Sequence, residues 1–256
     1  MGYETLLLEK QGRVMVLTFN RPPTNSVSYA MLGELDKALD EVAHDKDTRV
    51  LVFTGAGDRC FSAGMDVADA MNHPDIGEVG RALWTKVDLF EKPTLAAING
   101  HALGGGCELA LACHFRFMTD NPKALMGCPE LNLGIIPGWG GTQRMTRLLG
   151  RTKALDLILF SKRLSPAEAL SAGLVEGVYA PEALMPKVME TAQALSEKAP
   201  LAVRAAIKAV TTHLYKGIDE GLKAETEGSK TCATSKDAIE GFTAFMQKRK
   251  PEFKGE

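Results

Sequence analysis

Long apolar runs are missing from this chain of 256 residues, and none approaches the roughly 18 residues that a membrane-crossing helix requires. The N-terminus opens on strand-like sequence where a secretory leader would place a basic and then an apolar stretch, so the chain reads as soluble and unsecreted. An excess of one charge is missing too. Lys and Arg number 30 against 32 Asp and Glu, a balance that gives no electrostatic reason to expect a nucleic acid or an anionic membrane as main partner. The partner expected is a small molecule. The cysteines Cys60, Cys107, Cys113, Cys128 and Cys232 are odd in number, widely spaced and never in a C-x-x-C pair. That excludes a disulfide framework and a thiolate metal site, and fits a reducing, cytoplasmic setting. No H-x-x-x-H or H-E-x-x-H spacing exists, so His101 and His114 read as structural and no metal is expected. The G-x-G-x-x-G register and a G-K-[ST] ending are absent, which removes the dinucleotide and P-loop readings.

At this length a chain buries roughly 70 to 75% of its unfolded surface, so core size is no constraint. Alternation over residues 5–9 and 14–19, with Gln11-Gly12 between, predicts a hairpin, and residues 50–54 and 94–98 read as short buried strands. Met31, Leu35, Leu39 and Val42 make one helical stripe, and Leu83, Val87 and Phe90 another. Ser165-Pro166-Ala167-Glu168 is a capping box with proline at the first helical position, opening a helix that should stop at Gly173. From Pro181 onward the pattern is nearly all helical, with breaks at Pro200 and Ser235. The expectation is an α/β body over 1–198 followed by a helical region over 199–256. No linker rich in Gly, Ser or Pro separates them. There is no 20 to 50 residue repeat, although the strand, strand, helix rhythm hints at stacked units.

Three segments carry chemistry. In Cys60-Phe61-Ser62-Ala63-Gly64-Met65-Asp66, small residues at 62–64 leave peptide N–H groups uncovered, as is needed to hold a carbonyl oxygen on which negative charge develops. An ordinary strand-to-helix loop has the same composition. Ser62 is no esterase nucleophile, because Cys60 stands where G-x-S-x-G has its first glycine. Further on, Gly104-Gly105-Gly106 opens a helix-like stretch and presents free N–H groups at the positive end of its dipole. Glu108 lies in the first turn of that helix, as a dipole partner or as a working acid. Glu130, in Gly127-Cys128-Pro129-Glu130-Leu131, sits in mostly apolar surroundings that disfavour its charged form, the usual route to a general acid near neutral pH. Arg144, Arg147 and Arg151 fall on one side of a helix and read as a solvated cationic face; Lys248-Arg249-Lys250 reads the same way.

The blocks FSAGMD, KPTLAAINGHALGGGCELALAC, GCPELNLGIIPGWGGTQRMTRLLG, SPAEALSAGLVEGV and FMQKRKPEFKG occur in that order. Together they resemble the enoyl-CoA hydratase/isomerase (crotonase) superfamily across nearly the whole chain. The resemblance implies an α/β fold: a spiral of ββα units with a C-terminal helical region that mediates trimerisation, often as a hexamer of two trimers. It implies an acyl-CoA thioester substrate, with coenzyme A entering as part of the substrate and no separate cofactor. It also implies an oxyanion hole at the Ala63 and Gly105 peptides, with Gly64, Met65 and Asp66 along the bound pantetheine. The hydratases carry two acids, matched here by Glu108 and Glu130. In that reading Glu108 deprotonates the attacking water with help from Glu130, which protonates the α carbon.

Departures bear on the acyl group. His114 replaces an acid common in the family, residues 118–124 run about two residues long, Trp139 stands at a position usually small, and Met65 replaces alanine or leucine. Residues 69–80 fall where relatives vary most. Arg21-Pro22-Pro23-Thr24-Asn25 lacks a lysine often placed near the adenine. The alternatives are a double-bond isomerase using Glu130 alone, a hydratase for a cyclic dienoyl-CoA, and an RNA-binding protein on the same fold, the last disfavoured by the near-neutral charge.

Overall fold

The computed structural model describes residues 2–256. Apolar alternation sets up the expected hairpin: β1 (Leu6–Gln11) and β2 (Val14–Phe19) pair antiparallel, Leu6 opposite Phe19. Strand β1 continues to Gln11, past the expected end at residue 9, because the turn falls on Gly12, whose φ of 63° suits glycine. Helix α1 (Tyr29–His44) follows, its first turn capped by Ser28 and its stripe Met31, Leu35, Leu39 and Val42 fully buried.

The chain then winds through repeated turns, each giving one strand to each of two sheets. These pairs are β3 (Val50–Gly55) with β4 (Cys60–Ser62), β5 (Thr94–Ile98) with β6 (His101–Leu103), and β7 (Phe115–Thr119) with β8 (Met126–Gly127). Between the first two pairs lie α2 (Val67–Ala70) and α3 (Ile76–Asp88); α4 (Gly105–Ala112) lies between the second and third. After β8 come α5 (Gly141–Leu149), α6 (Arg151–Leu159), α7 (Pro166–Ala172) and β9 (Gly177–Tyr179). The large sheet has the order β1-β2-β3-β5-β7-β9, parallel from β2 onward, and the small parallel sheet is β4-β6-β8. This is the spiral of ββα units.

Both faces of the large sheet are covered. Leu51, Phe53, Ala96 and Ile98 meet α1, α3 and α4 in the main core, while the alternate residues Val50, Val52, Leu95 and Ala97 meet α8 (Pro181–Ser196) through Leu184, Val188 and Ala192. The central strands are therefore apolar on both faces, as in parallel sheets generally. Helix α7 has the expected capping box and ends at Gly173. Helices α9 (Pro200–Lys216), α10 (Ile218–Ala233) and α11 (Lys236–Met246) complete the chain, α9 starting at Pro200 and α11 capped by Ser235. No helix among the described residues is long and apolar enough to cross a membrane.

Helix α4 is held close to the small sheet by glycine. A Cβ on Gly106 would lie 2.2 Å from the Ser62 carbonyl oxygen, so α4 can touch the end of β4 only without a side chain there. Gly106→Ala is expected to destabilise the fold by about 1–3 kcal/mol through overpacking. Gly33→Ala on α1, with nothing within 4 Å of the new methyl, is expected to stabilise it by about 0.4–1 kcal/mol. Urea unfolding of both variants beside the wild type checks the pair.

Candidate active site

The small sheet delivers the site. Strand β4 runs out into residues 63–66, β6 into Gly104 and Gly105, and β8 into Pro129 and Glu130, so three parallel strand ends open on one cavity of about 260 Å³. Ala63, Met65, Gly105, Glu108, Glu130 and Trp139 all line it. Asp66 does not: its carboxylate caps α2 at Asp69 N–H and pairs with Arg21 at 3.1 Å. Gly64, at φ 89°, is where the first loop meets the second, for a Cβ there would lie 2.7 Å from Gly105 N.

Which peptide N–H groups are free corrects one expectation. The Ala63 N–H donates to Thr24 O at 2.9 Å and the Gly64 N–H to Ser62 Oγ at 3.2 Å, so neither is available to a ligand. Val27 forms a parallel bridge with Met65, engaging Gly64 O and Asp66 N–H. That pattern turns the Met65 N–H away from Val27, and it has no acceptor among the described residues. The Gly105 N–H, first in α4, likewise lacks an intrahelical acceptor. Trp84 Nε1–H donates to Gly105 O at 2.8 Å and fixes the orientation of that backbone. The available donors are Met65 and Gly105.

The two acids differ in what holds them. Glu108 is 2% exposed, and its Oε1 accepts from the Trp139 and Gly141 N–H groups, both at 2.8 Å, leaving Oε2 with no protein donor. Burial pushes its carboxyl up, while the Gly141 and Trp139 N–H groups and the Arg144 charge restrain the rise. Glu130 stands on a short 3-10 turn, Glu130–Leu133, and its buried Oε2 has no hydrogen-bond partner. Burial, reinforced by the Glu108 charge, pushes its carboxyl up to about 7. One acid is clamped by two N–H groups, and the other keeps its proton to a higher pH than an ordinary carboxyl.

Known proteins match this chain over nearly its whole length. The enoyl-CoA hydratase/isomerase family model matches residues 9–256. The chain belongs to the enoyl-CoA hydratase/isomerase family. The crotonyl-CoA hydratase of Syntrophomonas wolfei is 39% identical, with 99% of each chain covered, and the short-chain-enoyl-CoA hydratase of Clostridium acetobutylicum is 38% identical, with 98% of each covered. A crystal structure of enoyl-CoA hydratase from Bacillus anthracis has a TM-score of 0.94 at 36% identity, covering 99% of this chain and 100% of that one. Its crotonase-type spiral and its standing as an enzyme follow from this membership.

In this family member, Arg144 departs from the solvated face expected of it. It is 4% exposed, donates to Trp139 O at 2.7 Å and pairs with Asp88 at 2.9 Å, because α5 turns that side toward the end of α3. Tyr215 OH on α9 also donates to Asp88, at 2.7 Å, and Arg147 lies over the Tyr215 ring. The loop that clamps Glu108 is thus tied to the C-terminal helices, a link no spacing in the sequence signals. Arg249 and Lys250 are engaged by Glu240 and Glu197. His101 and His114 accept backbone N–H bonds from Leu125 and Thr94.

A carboxyl whose folded pKa exceeds its unfolded value favours the folded state at low pH and loses that contribution as pH rises through the folded value. For Glu130 that window runs from the ordinary 4.5 to about 7. The unfolding free energy of the wild type relative to Glu130→Gln is expected to fall across it; a difference that stays flat in denaturant titrations shows that Glu130 titrates normally.

Proposed function

We propose that the protein is an enoyl-CoA hydratase, adding water reversibly across the 2,3 double bond of a 2-enoyl-CoA thioester to give a 3-hydroxyacyl-CoA. The observation that carries this is the pair of dissimilar carboxyls on one cavity, Glu108 clamped by two N–H groups and Glu130 with a carboxyl raised to about 7. Environments that separate two acids in this way divide the roles of base and acid.

In this reading Met65 and Gly105, in place of Ala63 and Gly105, form the oxyanion hole, and Ala63 and Met65 flank the thioester. Glu108 Oε2 accepts a proton from the water as its oxygen bonds to the β carbon, and the displaced electron pair moves onto the thioester oxygen between the two N–H groups. Glu130 then gives its proton to the α carbon, and the proton on Glu108 returns to Glu130 through water. One such oxyanion donor is worth roughly 100- to 1000-fold in rate. The addition involves no net oxidation, so the chain needs no cofactor beyond the coenzyme A of its substrate. Its five cysteines stand as free thiols, in keeping with a cytoplasmic setting.

Glu108→Gln and Glu130→Gln are each expected to lower kcat by about 10²- to 10⁴-fold with thioester binding retained. Loss of conjugated absorbance and incorporation of oxygen from labelled water measure this. Near-normal turnover in either variant overturns the two-acid mechanism, and rapid conversion of a 3-enoyl-CoA without labelled oxygen would favour the isomerase.

We also propose self-association as a trimer or hexamer. Support comes from the C-terminal helices, where Ile239, Phe242, Phe245 and Met246 are exposed on α11 and Ile218 and Leu222 on α10, an apolar surface larger than scattered single residues present. Light scattering is expected to give a mass of three or six chains; a monomer at micromolar concentration refutes it.

A further inference from the structure

The indole of Trp139 occupies the space that glycines on two helices leave open. A Cβ on Gly80 of α3 would lie 2.3 Å from its Cε2, and a Cβ on Gly105 of α4 would lie 2.5 Å from its Cε3 and Cζ3. Behind it stands Trp84, edge to face with ring centroids 5.1 Å apart and anchored by its own bond to Gly105 O. The ring is 3% exposed, packed on both sides and backed by a second indole, so it has no room to swing aside. Trp139 nonetheless lines the cavity, together with Gly105 beside it and Gly77 on α3. The cavity, at about 260 Å³, is smaller than the roughly 300–1,000 Å³ of pockets that enclose drug-sized ligands. An acyl group with its carbonyl oxygen at the Met65 and Gly105 N–H groups would have Trp139 beside it, because the ring packs against Gly105.

We propose that Trp139 determines specificity, restricting the enzyme to short linear 2-enoyl groups by closing the tail end of the acyl pocket. This rests on the hydratase reading above. The bond to Glu108 is made by the Trp139 backbone N–H and not by the indole, so the proposal assigns chain length to the indole.

The test is kcat/KM for four-, six-, eight- and ten-carbon linear 2-enoyl-CoA thioesters on the wild type and on Trp139→Ala, Trp139→Leu and Trp139→Phe, each with its melting curve. A methylene refused by an apolar pocket is worth about 10-fold or more, so the wild type is expected to fall steeply beyond its preferred length. The ratio of eight- to four-carbon activity should rise at least about 10-fold in the alanine variant, with leucine and phenylalanine between. Should the alanine variant fail to fold, the other two carry the same ratio. A ratio unchanged in every folded variant, or a wild type that accepts ten carbons as well as four, overturns the proposal while leaving the hydratase reading in place. A wild type that hydrates none of the series overturns both.

Discussion

A carboxylate buried to 2% exposure on an internal helix is tolerated only where donors replace the water it has lost, and here two peptide N–H groups do so for Glu108. Those donors come from one loop, around Trp139 and Gly141, and the site depends on where that loop is held. Arg144 holds it through Trp139 O, and Asp88, which also accepts from Tyr215 OH, holds Arg144. The same loop places the Trp139 indole against Gly105. One clamp therefore sets the position of an acid, a wall of the cavity and a connection to the C-terminal helices.

The spiral supplies the other requirement, closeness of segments far apart in sequence. Each turn ends in a short strand of the small sheet, and the residues just past β4, β6 and β8 open onto one space. Glycine at 64 and 106 permits backbone to meet backbone across those ends. The Met65 and Gly105 N–H groups are left without protein acceptors at the same place where two acids differ in how they are held. A fixed array of donors of this kind stabilises developing charge without reorganising during the reaction.

Much of this was legible in the residues. The stripe Met31, Leu35, Leu39, Val42 and the capping box at Ser165 mark their helices because local periodicity and capping chemistry act over one or two turns. Glu130 stood out because a lone acid in apolar sequence signals desolvation. The small sheet was not legible from periodicity, since β4, β6 and β8 span only two or three residues; the family resemblance supplied it. Helical spacing shows which residues share a face and not what that face meets, so it carries no sign that Arg144 is buried.

Alone, the sequence determined the striped and capped helices, the buried strands, the two glycine-rich loops and the candidacy of both acids, because these follow from short-range pattern and side-chain chemistry. Tertiary structure decided that Met65 and not Ala63 offers a free N–H, that Glu108 is clamped while Glu130 rises to about 7, and that the Trp139 indole fills the space left by Gly80 and Gly105. Each of these rests on a hydrogen bond or a loss of solvent imposed by a partner distant along the chain, such as Thr24 on Ala63 or Gly141 on Glu108. Such partners are fixed only when the spiral closes.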